Sequence, residues 1–83
     1  MFMKDTKHFI DAIQERGIKR KWVDITILQP DKIKDYDDGT RHYIKQIEEF
    51  NNRWLRVIVN MTSIPKKRIT AFFDRGLRRK HEN

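Results

Sequence analysis

The sequence predicts an α+β domain in which two N-terminal helices pack on one face of a four-stranded antiparallel sheet, in the order α-α-β-β-β-β. Three observations lead to this prediction. Apolar residues recur at helical spacing up to Gln29, and they alternate along the segments that follow Pro30. A DDGT turn and other short connections join the later segments, which favours hairpins. A length of 83 residues suits a single domain.

Two short helices are predicted at the N-terminal end. Either Asp5 or Thr6 can cap a first helix that runs to about Arg16. Gly17 is expected to end this helix, because glycine takes positive φ at no steric cost. A second helix is predicted over residues 19–29, and it stops before a proline.

Four strands are predicted in the rest of the domain, at residues 33–36, 41–47, 53–60 and 68–74. Gly39 lies in the hairpin turn between the first two. Because the connections are of hairpin length, the strands should form an antiparallel meander with the helices covering one face. The domain is expected to span residues 1–76, and residues 77–83 are expected to form a basic tail.

The charge of the chain suggests an acidic partner. Lysine and arginine number 19 and aspartate and glutamate 12, a net charge of +7. RNA, DNA, an acidic protein or an anionic membrane surface would all suit this balance, and ordinary solubility charge is the alternative explanation. The basic excess is concentrated after Pro65.

Other classes of protein are disfavoured by what the sequence lacks. It has no cysteine, so disulfides and cysteine-based zinc sites are excluded and a reducing cytoplasm is the expected location. No segment is long and apolar enough to cross a membrane, and the N-terminus shows no signal-peptide pattern, so no membrane association is expected. No metal site and no cofactor are predicted.

Arg56 poses the main question of the sequence, because it interrupts the most strand-like segment, RWLRVIVN. Side chains alternate across a strand, so Leu55, Val57 and Val59 should face the helices. Arg56 then lies at the centre of the open face of the sheet, beside Trp54. It can hold a phosphate there bidentately, or it can pair with a cross-strand acid, and the sequence leaves both alternatives open.

Several motifs in order make the chain similar to a family of small domains within the RelE-like toxin superfamily, close to the BrnT-type toxins. They are HFIDAIQERGI, QPDKI, YDDGTRHYIK, RWLRVIVN and RITAFFDR, and the resemblance covers about residues 7–75. The chain departs from the family pattern at Lys19, where a serine or threonine is common, and at Phe72 and Phe73, where a tyrosine often ends the closing strand.

The resemblance implies a RelE-like fold and a metal-independent endoribonuclease of a toxin–antitoxin pair. Such toxins cut mRNA, many of them on the ribosome, by attack of the RNA 2′-hydroxyl on the neighbouring phosphate. The reaction needs a base, an acid and cations beside the phosphate. The expected partners are RNA and an acidic antitoxin that covers the basic face.

The resemblance also implies site residues, each with a structural alternative. The catalytic candidates are His8, Arg16 and Arg56. The RNA- or phosphate-binding candidates are Arg41, Lys45, Trp54, Arg75, Arg78, Arg79 and Lys80, and the candidates for base stacking are Tyr43 and Trp54. His8 can equally pack beside the second helix, Arg16 can bond carbonyls at a helix end, and the tail can be merely solvated.

The sequence therefore leaves two main classes of function open. The first is an endoribonuclease toxin. The second is a non-catalytic module that holds RNA or an acidic protein, and the missing tyrosine and the lack of an obvious general base favour it. A DNA-binding accessory protein is a third alternative, which the four predicted strands disfavour.

Overall fold

A computed structural model describes residues 2–77 of the chain. The helices are α1 (Lys7–Glu15), α2 (Arg20–Leu28) and a short 3-10 helix (Glu48–Phe50). The strands are β1 (Met3–Asp5), β2 (Lys32–Asp35), β3 (Thr40–Ile47), β4 (Arg53–Asn60) and β5 (Lys66–Phe73). They form one mixed sheet in the order β1-β5-β4-β3-β2, in which β1 runs parallel to β5 and the other neighbours are antiparallel.

The predicted architecture, two N-terminal helices on a four-stranded antiparallel sheet, is therefore wrong. A fifth strand, β1, comes before the helices, and its parallel pairing with β5 makes the sheet mixed. A 3-10 helix also separates β3 from β4. The sequence pattern does not reveal β1, because three residues are too few to show alternation and because their partner, Lys66–Arg68, lies near the other end of the chain.

Local signals placed the individual helices correctly. Thr6 is the N-cap of α1, and its Oγ1 accepts a hydrogen bond from the backbone N–H of Phe9 at 3.1 Å. The same hydroxyl lies 3.0 Å from the carbonyl oxygen of Arg68, to which it donates, so the cap also ties α1 to β5. Gly17 follows with φ of +62°, as its predicted role at the helix end requires.

The core lies between the helices and one face of the sheet. Leu55, Val57 and Val59 of β4 are fully buried there, beside Phe9 of α1 and Val23 of α2. Burial of such side chains is the main favourable term for so small a domain. The predicted alternation of β4 is thereby confirmed, and Arg56 lies on the other face, which we call the open face.

The open face is partly covered by the residues that follow β5. Leu77 is buried in a second cluster with Ile44 and Trp54, which lie on the open-face side of β3 and β4. The predicted boundary after Gly76 stays a prediction, and residues 78–83 lie outside the described part of the chain. No helix within residues 2–77 has the length and apolar character that a membrane span requires.

Candidate functional site

Arg56 pairs with Asp74, which immediately follows β5. Its Nε and Nη2 lie 2.9 and 2.8 Å from Oδ2 of that carboxylate. The two side chains are 11% and 21% exposed, so the pair is partly shielded from water. The acid is not directly opposite Arg56 on a neighbouring strand, because that position on β5 belongs to Phe72.

His42 completes this group on the open face. Its Nδ1 lies 2.9 Å from Nη1 of Arg56, and its ring packs against Tyr36 with a centroid distance of 4.2 Å. A guanidinium can only donate, so Nδ1 accepts and Nε2 carries the ring hydrogen. Burial lowers the pKa of His42, the charges of Arg56 and Lys34 lower it further, and Asp38 opposes them.

The lowered pKa of His42 predicts a loss of stability in mild acid. The unfolded chain takes up a proton at this residue near pH 6.5 and the folded chain only at lower pH, so the free energy of unfolding should fall as pH drops below about 6.5. His42→Asn keeps an acceptor for Arg56 and removes the titration. Urea unfolding between pH 7.5 and 5 should therefore show a shallower pH dependence in this variant than in the wild type.

His8→Asn is the matched control, because His8 is exposed on α1. Carboxylates such as Asp74, whose pKa is lowered, do not contribute to the pH dependence of stability between pH 7.5 and 5. They stay ionised there, and they lose their stabilising effect only at lower pH, where they become protonated. Equal flattening of the pH dependence by both histidine substitutions would contradict the assignment to His42.

A cleft lies at the edge of the sheet where β4 begins and β5 ends. It has a volume of about 290 Å³ and is lined by Arg16, Arg53, Trp54, Phe72, Phe73, Asp74 and Arg75. We call it the edge cleft. β1 does not extend to this end of β5, because it pairs only with Lys66–Arg68. Nη1 of Arg16 reaches across this edge and donates to the carbonyl oxygen of Ala71 at 2.9 Å.

The arginines of the edge cleft differ from the others in their partners. Residues 2–77 contain seven arginines, and four of them form salt bridges with aspartates, namely Arg20, Arg41, Arg56 and Arg68. The remaining three have no acidic partner within these residues, and all three line the edge cleft: Arg16, Arg53 and Arg75. The one carboxylate in the cleft, Asp74, is already paired with Arg56. The cleft therefore concentrates uncompensated positive charge.

Aromatic rings border the same cleft. Trp54 is 8% exposed and belongs to the second apolar cluster, and Phe73 packs against the rings of Trp22 and Phe50. Phe72 is partly exposed and lies on the open face, opposite Arg56. Guanidinium groups beside aromatic rings are the combination that binds phosphates and bases of a single-stranded nucleic acid.

The three predicted catalytic residues lie in different places. His8 is exposed in the first turn of α1, and Arg16 is the C-cap residue of that helix, so the length of the helix separates them. Arg56 lies across the sheet from α1. Of the three, only Arg16 lines the edge cleft. Arg56 does not line it, but it is bonded to Asp74, which does.

The predicted binding residues are also dispersed. Arg41 and Lys45 lie on the helix-facing side of β3, where Arg41 pairs with Asp35 and Nζ of Lys45 donates to the carbonyl oxygen of Gln29 at 3.0 Å. Tyr43 is buried in the main core. Trp54 and Arg75 do line the edge cleft, whereas Arg78, Arg79 and Lys80 lie outside the described residues.

Three residues of the site were missed from the sequence. Arg53 at the start of β4, His42 on β3 and Asp74 after β5 were not among the predicted site residues. One signal was available for Asp74. Residues that directly follow a closing strand lie beside the start of its antiparallel neighbour, and the N–H of Asp74 indeed donates to the carbonyl oxygen of Trp54.

Together, the fold and the edge cleft define a small basic α+β domain with an arginine-rich cleft at one edge of its sheet. The chain belongs to the family described as a domain of unknown function, DUF4258, which matches residues 6–73. No curated protein and no solved structure matches the chain. Within residues 2–77, no three histidine, aspartate or glutamate side chains come together as a metal site.

Proposed function

We propose that this chain is a RelE-like domain that binds single-stranded RNA through the edge cleft. The observation that carries the proposal is the convergence of Arg16, Arg53 and Arg75, the three arginines without an acidic partner in residues 2–77, on one cleft. A planar guanidinium matches the geometry of phosphate oxygens and is easily stripped of water, which suits it to this role. The net charge of +7 adds long-range attraction to a polyanion.

The test is the fluorescence anisotropy of a labelled single-stranded RNA of about twelve nucleotides, titrated with the protein at several salt concentrations. Three phosphate contacts predict that log K falls with log salt at a slope of about −2, since each contact on a single strand contributes about −0.7. Binding that does not depend on salt, or no binding at low salt, would refute the proposal.

Cleavage of the bound RNA is a second candidate function, as in RelE-like and BrnT-type toxins. The imidazole of His42 on the open face is the group that could supply the base, once its Nδ1 is released from the 2.9 Å contact with Nη1 of Arg56. In such a reaction a base removes the proton of a 2′-hydroxyl, the oxygen attacks the adjacent phosphorus, and the bond to the 5′-oxygen breaks as an acid protonates it. The products are a 2′,3′-cyclic phosphate and a 5′-hydroxyl.

The same RNA samples distinguish binding from cleavage when they are run on a denaturing gel after incubation with a chelator. Intact RNA supports a binding module, whereas shorter fragments that disappear in His42→Asn support a nuclease. An acidic antitoxin would bind the same positive surface, so the proposal also includes a protein partner that competes with RNA for the edge cleft.

A further inference from the structure

Arg56 is connected to the edge cleft through a continuous series of hydrogen bonds. Its guanidinium holds Oδ2 of Asp74, and Oδ1 of the same carboxylate accepts from the backbone N–H groups of Gly76 and Leu77 at 2.9 and 3.3 Å. Asp74 therefore caps the turn that begins at Arg75. Leu77, two residues after Arg75, is buried against Ile44 and Trp54.

We propose that Arg56 is a positioning residue for Arg75 and does not itself contact phosphate. By fixing Asp74, it fixes the turn that presents Arg75 to the edge cleft. The inference rests on the proposed function, because the role of Arg75 is to bind RNA there. Arg56 then contributes to RNA affinity by holding Arg75 in place, and not through its own positive charge.

Two features argue against direct contact between Arg56 and a phosphate. Its side chain is only 11% exposed, and it does not line the edge cleft. Three of its five N–H donors are already engaged, because Nε and Nη2 bond to Asp74 while Nη1 bonds to His42. A phosphate that bound Nε and Nη2 bidentately would have to displace the Asp74 carboxylate.

Arg56→Lys tests this role because it keeps the charge and loses the planar fork that holds Asp74 and His42 together. Arg75→Gln removes one phosphate contact, so it should weaken RNA binding about fivefold at 0.1 M salt and reduce the salt slope by about 0.7. We expect Arg56→Lys to weaken binding to a similar extent with a similar loss of slope. The double variant should be no weaker than Arg75→Gln by itself, because both changes remove the same contact.

A direct phosphate contact by Arg56 predicts a different outcome. The lysine would then keep the wild-type salt slope, and the losses of the two single variants would add in the double variant. Either result would overturn the positioning role. Circular dichroism and thermal unfolding of each variant ensure that only folded protein is compared.

Amide hydrogen exchange tests the inference without RNA. The N–H groups of Gly76 and Leu77 are bonded to Asp74, so they should be protected in the wild type and exchange at least several-fold faster in Arg56→Lys. Equal exchange in the two proteins would overturn the positioning role whatever the binding data show. If the wild-type protein binds no RNA but Arg56→Lys still speeds the exchange of these two N–H groups, the proposed function is wrong. The coupling between Arg56 and the turn is then still supported.

Discussion

Replacing Arg16, Arg53 and Arg75 together by glutamine is expected to lower the affinity for single-stranded RNA about a hundredfold at 0.1 M salt. The estimate follows from three lost phosphate contacts, each of which contributes about 0.7 to the slope of log K against log salt. The slope itself should approach zero, because the charges that release counterions are gone. Anisotropy titrations of the wild type and the variant across a salt series measure both quantities.

Arg41→Gln is the matched control for this experiment. It removes one charge, as each of the three substitutions does, from an arginine that is already paired with Asp35 and lies on the helix-facing side of the sheet. Binding should change little and the slope should stay close to that of the wild type. A comparable loss of affinity in a control series of three paired arginines would show that net charge, and not the edge cleft, determines binding.

Arg56→Ala is expected to lower the free energy of unfolding by about 2–4 kcal/mol, because it leaves the Asp74 carboxylate without its charged partner in a site that is partly shielded from water. Domains of this size have only about 4–12 kcal/mol of stability in total, so the loss would be a large share. Urea denaturation at pH 7 with a constant m-value measures it.

The pair of Arg41 and Asp35 shows how much burial matters to this prediction. It is also a strand arginine bonded to an aspartate, but its side chains are 34% and 62% exposed. Arg41→Ala should cost less than about 1 kcal/mol, as surface ion pairs usually do. Similar losses for the two arginines would contradict the claim that Arg56 and Asp74 form the more important pair.

A double-mutant cycle separates the pair from other effects of the substitution. Asp74→Asn removes the charge but keeps an oxygen that can cap the following turn. In the Asp74→Asn background, Arg56→Ala should cost at least 1 kcal/mol less than in the wild type, because the unpaired carboxylate is no longer there. Additive losses would mean that Arg56 stabilises the fold mainly through other contacts, such as His42.

The local structure of this protein could be predicted because its signals lie within a few residues of one another. The Thr6 cap and the positive φ of Gly17 bound the first helix as expected. The bounds of β4 and the side of the sheet that each of its residues faces also follow from its alternation. Gly39 likewise takes the positive φ that its hairpin turn requires.

The candidate site could be predicted only in part, because its residues come from separate elements. Arg16 and Arg75 were singled out from the sequence, and both line the edge cleft with Arg53. No sequence pattern links the end of α1, the start of β4 and the segment after β5. The sequence left two alternatives for Arg56, and the structure shows an acid partner supplied by the segment after β5.

The sequence by itself determined the positions of the two α-helices and of β2 to β5, how β4 alternates, and that the chain carries a strong positive charge. Only the tertiary structure decided that a fifth strand joins the sheet, which arginines are paired with acids, and where the remaining three meet. The physical reason is distance along the chain. Caps, turns and alternation act between neighbours, whereas the pairing of β1 with β5 and the edge cleft depend on contacts between segments far apart in sequence.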